Sequence, residues 1–245
     1  MNKNKIYDMI IIILLYIGVA CIPFDLIPVS AVLVTIFKIL AQIIVFVGMG
    51  LVVRKSELKL NVNAHNRKNI IWFIPTFVIC FSNFFTLFDV NNSLTPSFSV
   101  LLLVRIILSI SVAFNEELIF RVLLQGNMKE DRNPIIKILI SSAIFGACHL
   151  THFLSTFDPG ELMIVGYTFG IGFAVGMIYE FTGSFSVTFL FHGLYNMINN
   201  NLAENWITYG NGDSAFFIAN AAVAGAAVIY LVIVYLKKIN NKQEA

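Results

Sequence analysis

The sequence predicts an all-α fold, a polytopic membrane helical bundle of about eight transmembrane helices. Three observations carry this. The 245 residues are 58% hydrophobic and only 12% charged, where soluble domains carry about 25% charged residues. Mean hydropathy is +0.83, and the apolar residues gather into runs of roughly the 20 residues that cross a bilayer. The basic residues outside those runs fall only on alternate connections.

The first run, Ile6–Ile22, follows Lys3 and Lys5, as a signal peptide would. Gly18-Val19-Ala20-Cys21 resembles a degraded lipoprotein cleavage site. The usual aliphatic residue three before the cysteine is absent and further spans follow, so the run reads as an uncleaved first span. Val29–Val53 is the second. The polar stretch Arg54–Asn69 then forms one loop before the third, Ile70–Leu87. The fourth, Ser97–Leu124, and the fifth, Pro134–Phe153, are joined by a short basic connection. The sixth, Glu161–Thr182, carries Gly166, Gly170, Gly172 and Gly176, small residues at the spacing that lets helices approach closely; packing within one chain is the expectation. The tight turn Thr182-Gly183-Ser184 leads to the short seventh, Ser184–Asn199, and the eighth is Phe216–Leu236.

With eight spans, Lys3, Lys5, Arg54, Lys55, Lys59, Arg67, Lys68, Lys129, Arg132, Lys237, Lys238 and Lys242 share one face. The opposite loops contain neither Lys nor Arg. The positive-inside rule then places both termini in the cytoplasm, and the Ile-, Lys- and Asn-rich composition points to a bacterial plasma membrane. The chain reads as one integral membrane domain, 1–245, with a motif-bearing core at 97–200. A net charge of +2 gives no cue for nucleic acid. Cys21, Cys80 and Cys148, odd in number and far apart, read as buried free thiols.

Chemistry concentrates in three runs. Glu116 and Glu117 sit side by side in an apolar span, and a carboxylate at membrane depth costs at least ~2.5–3.5 kcal/mol. An α-helix sets i and i+4 on one face. Glu117 thus shares a face with Arg121, Phe145 with His149, and His192 with Asn196, while Glu116 points about 100° from Glu117. The two glutamates are expected to divide the work: one pairs with the arginine, the other faces partner helices. At ~1.5 Å per residue, Glu116, His192 and His149 lie ~13, ~12 and ~22 Å from the inner ends of their spans. They are expected to line one cavity open to that half.

Blander readings stand beside these. Glu117–Arg121 alone is a structural ion pair, His65 and His152 bridge helices, Glu180 snorkels, and Glu161 suits a helix start. Lys38 and Arg105 have no partner evident in the sequence. The chain lacks HExxH, GxSxG and a mid-span aspartate pair. Glutamate remains as the base.

Glu116-Glu117-x-x-x-Arg121, Phe145-x-x-x-His149 and His192-x-x-x-Asn196, in that order on successive spans, resemble the three motifs of the CPBP family. That family joins the CAAX-processing prenyl-protein endopeptidases to the bacteriocin-processing or immunity proteins, also called Abi. The resemblance covers about 97–200. It implies an intramembrane endopeptidase in which Glu116 activates water, His149 and His192 complete the catalytic set, Asn196 stabilises the oxyanion, and Glu117 and Arg121 hold the base. The implied substrate is a peptide or protein met in the lipid bilayer, in bacteriocin maturation or self-immunity ahead of prenyl-protein processing. A carboxylate and two imidazoles also suit zinc with an open position; no cofactor is the preferred expectation, because no helix pairs two ligands at i, i+4. The rival readings are a non-catalytic immunity or scaffold protein of the same fold and a proton-coupled transporter. The transporter would show repeated halves, and the sequence has none. Oligomeric state has no signal in the sequence.

Overall fold

The computed structural model describes residues 1–60, 62, 67–89, 91–129, 131–157, 161–208, 210, 222, 225–226, 229–234 and 236. His65, Asn63 and most of the predicted eighth span lie outside the described residues, as do the side chains of His152 and Glu161.

Side-chain caps start most of the helices. Asn2 accepts from the Lys5 N–H to open α1, Lys3–Ala20, and Ser30 accepts from Leu33 N–H to open α2, Ala31–Lys55. Ser99 does the same for α3, Val100–Glu116. Asn133 caps α4, Pro134–Cys148, whose proline occupies a first-turn position where its missing N–H costs nothing. Helix α5 covers Leu150–Thr156, α6 Glu161–Thr182, and α7 Phe185–Met197, capped by Ser184. Gly183, at φ 63°, makes the left-handed turn between α6 and α7. The third span, Arg67–Phe88, is wound as a 3-10 helix, which rises ~2.0 Å per residue and so crosses lipid with fewer residues.

Four of these segments are long and apolar enough to cross a membrane by themselves: Lys3–Leu26, Ala31–Lys55, Asn69–Phe88 and Ile164–Thr182. The fourth and seventh spans are each completed by a π-helical extension, Glu117–Leu124 after α3 and Ile198–Ala203 after α7. Tyr230 donates from its hydroxyl to the Trp72 carbonyl, and Leu231 is buried with Phe73, so the described part of the last span lies against the third.

One correction concerns the fifth span. A single helix was expected over Pro134–Phe153, but α4 ends at Cys148 with His149 as its C-cap, and α5 starts anew at Leu150. Another concerns the thiols: Cys80 and Cys148 are buried and free, whereas Cys21 is free but exposed, at the end of α1.

The connections sort to two ends. Asn2 donates to Glu57, and Asn127 exchanges hydrogen bonds with the Lys59 backbone, so the N-terminus, the start of the basic loop and the end of the fourth span meet. At the other end Ser93 and Leu94 pair antiparallel with Thr208 and Ile207, and the Trp206 indole donates to the Ser97 carbonyl. Among the described residues, the N-terminus and the segments at 57–59 and 127 thus meet at one end, and those at 93–97 and 206–208 meet at the other.

Two apolar clusters hold the helices together. One joins Met9, Ile12 and Tyr16 of α1 to Val45 and Met49 of α2, residues 118–120 and 122–124, and Phe145. The other joins Phe73 and Ile79 to Ile138, Val175, Ile178 and Phe191. Outward-facing Leu, Ile and Phe side chains remain exposed along α1 and α2, as a lipid-facing surface requires.

Candidate functional site

The fourth span changes its winding at the first motif. Helix α3 is α-helical through Glu116 and π-helical from Glu117 to Leu124. Such segments are rare and recur at functional sites. All eight π-helical side chains are buried, Arg121 completely.

Both carboxylates turn toward one imidazole. His192 Nδ1 lies 2.8 Å from Glu117 Oε1, and His192 Nε2 lies 3.6 Å from Glu116 Oε2. The short contact assigns the Nδ1 proton to the bond with Glu117, which leaves Nε2 facing Glu116. The 3.6 Å separation is too long for a direct hydrogen bond. The other oxygen of Glu116 accepts from the Tyr16 hydroxyl, which arrives from α1. Glu116 and Tyr16 are 2% and 7% exposed.

Glu117 also serves the arginine, with its Oε2 3.5 Å from Arg121 Nε. The two glutamates divide as expected, and Glu117 takes one further partner: it pairs with Arg121 and also with His192, while Glu116 faces α1 and α7. Neighbours hold one of the two terminal nitrogens of Arg121, and among the described residues Nη2 has no hydrogen-bond partner. Arg121 Nη1 donates to Ser141 Oγ at 2.6 Å, Ser141 donates on to the Phe120 carbonyl, and the guanidinium carbon sits 5.5 Å above the Phe145 ring. Cation–π contact of this kind strengthens where water is excluded.

Phe145 is the hinge of the arrangement. Its ring meets His149 edge-on at 5.0 Å between centroids and His192 at 5.9 Å. His149, half-buried at the break between α4 and α5, directs Nδ1 to the Phe145 carbonyl at 3.0 Å. Asn196, one turn beyond His192 on α7, accepts from Asn200 through Oδ1 at 3.2 Å, which leaves its amide N–H groups to donate. Thus Arg121, His149 and His192 meet at the Phe145 ring, and Glu116 and Glu117 connect to them through His192 and Arg121. Asn196 stands one turn beyond His192 on α7, where its side chain meets Asn200.

Glycines on α6 make the room. A methyl group at Gly172 would stand 2.8 Å from Phe145 Cδ1 and 3.4 Å from Arg121 Nη2. One at Gly176 would stand 3.2 Å from Gln125 Oε1 and 3.5 Å from Arg121 Nη1. Gly166 and Gly170 have nothing within 4 Å. The small-residue spacing is thus used inside the chain by two of its four members.

Sequence reasoning missed Tyr16, Ser141 and Gln125. Tyr16 is one polar atom in an apolar run and carries no spacing signal. Glu180, expected to snorkel, instead binds Lys137 in an ion pair and accepts from Gln125 Nε2 at 3.1 Å. Lys38, whose partner was not evident in the sequence, pairs with Asp25 at 2.8 Å. A metal finds no ready seat: among the described residues no three His, Cys, Asp or Glu side chains stand close enough to hold an ion.

Residues 96–198 match the family model described as Rce1-like, type II CAAX prenyl endopeptidase. The matched stretch contains all seven motif residues, and the resemblance to the CPBP family stands on it. Tyr16 lies outside it. No curated protein and no solved structure matches the chain.

Proposed function

We propose that this chain is an intramembrane endopeptidase in which Glu116 activates the attacking water. The observation that supports it most is the pair of anchored groups. Glu116 is fixed by Tyr16 on one oxygen and presents the other to His192 Nε2, while Glu117 fixes His192 from behind. A water between Glu116 Oε2 and His192 Nε2 would give its proton to the carboxylate as it attacks the peptide carbonyl. Amide hydrolysis then needs donors for the oxyanion and a proton for the leaving amine. The Asn196 amide and His149 are the donor candidates. Glu116, protonated by the water, returns that proton to the amine. Arg121 holds Glu117 and is not asked to touch substrate.

The substrate is a peptide or protein segment that reaches the site from the bilayer, at the end of the bundle that holds the N-terminus. The basic connections favour the cytoplasmic side for that end. In the cell we assign the activity to bacteriocin maturation or self-immunity. The family description makes a farnesylated CAAX peptide the first probe.

The test uses purified full-length protein in lipid vesicles with that peptide and its unprenylated twin. Wild type is expected to cleave, Glu116→Gln to lose ~10²–10⁴-fold in rate, and exhaustive chelation to leave the rate unchanged. Loss on chelation with recovery on zinc would overturn the glutamate mechanism. Cleavage of the prenylated peptide alone would move the substrate class from bacteriocin precursors to prenyl proteins. In a producing strain, self-protection that survives Glu116→Gln would favour the non-catalytic immunity protein.

A further inference from the structure

A cavity of about 310 Å³ opens at the end of the bundle away from the N-terminus, between the turn before α2, α2 itself and α3. Asp25, Ile27, Val34, Lys38, Arg105 and Leu108 contribute to its walls. It is separate from the catalytic cluster, because Arg105 precedes Glu116 by about three helical turns, ~16 Å. Its volume is at the small end of ligand-sized clefts, enough for a headgroup and not for a whole lipid.

The charges do not cancel inside it. Lys38 Nζ bonds both oxygens of Asp25, at 3.0 and 2.8 Å, so this pair is neutral as a unit. Among the described residues Arg105 has no hydrogen bond or ion pair; Glu204 acts on it electrostatically from beyond ion-pair distance and is not a wall of the cavity. One guanidinium is therefore in excess. Arg105 starts ~8 Å and Lys38 ~10 Å inside the ends of their helices. At that depth a cation in lipid is costly unless it reaches an anion or the interface. The remaining walls are apolar except Thr35, whose hydroxyl is bonded to the Ala31 carbonyl, and Leu33, Phe37, Leu103 and Ile107 on the same helices are exposed. The occupant must carry an anion on an apolar body. A phosphate suits the planar fork of arginine better than it suits lysine.

We propose that this cavity binds the phosphate of an anionic phospholipid headgroup, with Arg105 as the main contact, Lys38 as the second donor held by Asp25, and the acyl chains lying along α2 and α3.

The test places full-length protein in phosphatidylcholine nanodiscs, titrates phosphatidylglycerol, and reads the Tm and the lipid retained in native mass spectra. Wild type is expected to show a saturable rise in Tm and one retained phosphatidylglycerol. Arg105→Gln should require at least tenfold more lipid for the same rise, and Lys38→Gln a few-fold more. Arg54→Gln, at the opposite end, should behave as wild type. A titration of Arg105→Gln that overlays wild type would overturn the proposal. So would an equal loss in Arg54→Gln, which signals diffuse attraction. Inorganic phosphate is expected to be inert; an Arg105-dependent Tm rise with phosphate alone would replace the lipid by the free ion. Should Arg105→Gln fail to insert, Arg105→Lys keeps the charge without the fork, and unchanged lipid binding in both it and Lys38→Gln would equally sink the idea.

Discussion

Glu117 and Arg121 are 1% and 0% exposed, whereas Asp25 and Lys38, the ion pair at the other end of the bundle, leave 75% and 34% of their side chains open. The buried pair is not left to its own attraction. His192, Ser141 and the Phe145 ring all attend it, because removing two charges from water costs more than one contact returns. The open pair needs only itself, with the polar boundary within reach. Similar residues at similar helical depth therefore carry different weight, and burial decides which.

The comparison breaks most readily at Arg121. Arg121→Ala strands Glu117 in the interior and is expected to cost ~3–5 kcal/mol, read as a fall in Tm or a faster loss of fold in detergent. Asp25→Asn, by the same measurement, is expected to cost under ~1 kcal/mol. Equal losses would mean that burial is not the governing difference.

Tyr16→Phe removes one oxygen and keeps the ring, which packs edge-on to Phe120 at 6.1 Å. A hydrogen bond to a charged group contributes about 1.5–3 kcal/mol. The loss should appear as a lower turnover rate against the farnesylated peptide, with KM unchanged if Tyr16 only positions Glu116. A variant indistinguishable from wild type would remove Tyr16 from the site.

Gly172→Ala and Gly166→Ala sharpen the contrast on a single helix. The first drives a methyl group into Phe145 and is expected to cost ~1–3 kcal/mol. The second meets nothing within 4 Å and should change the Tm little or raise it slightly. Smallest of all, Lys38→Gln in phosphatidylcholine should shift stability by less than ~1 kcal/mol.

Much of this was legible in the chain. The all-α membrane class, the turn at Gly183 and the three polar pairs follow from runs, basic residues and i, i+4 spacing, which are local properties. What was not legible depends on distance or on winding. Tyr16 meets Glu116 across 100 residues, and no local pattern marks that. The π winding from Glu117 leaves no residue signature, since no proline or glycine lies within 117–124, and the break at His149 has only Gly146 in the turn before it. The i, i+4 argument for Glu117 and Arg121 assumed an α-helix; the pair forms on a π-helix all the same. Lys137 with Glu180, and Gln125 beneath them, needed α4 and α6 in contact.

The order in which the chain is made gives the Glu117–Arg121 pair a further meaning. A chain grows at roughly 5–20 residues per second. His192 follows Glu117 by 75 residues, so it reaches the membrane about 4–15 s later at that rate. Throughout that interval the fourth span must rest in or near lipid without its imidazole. Arg121 is made at almost the same moment as Glu117, and so are the side chains of the helical turn that joins them. Of the two charged partners that Glu117 meets in the folded chain, Arg121 is thus already present in that interval, and His192 completes the set when α7 arrives.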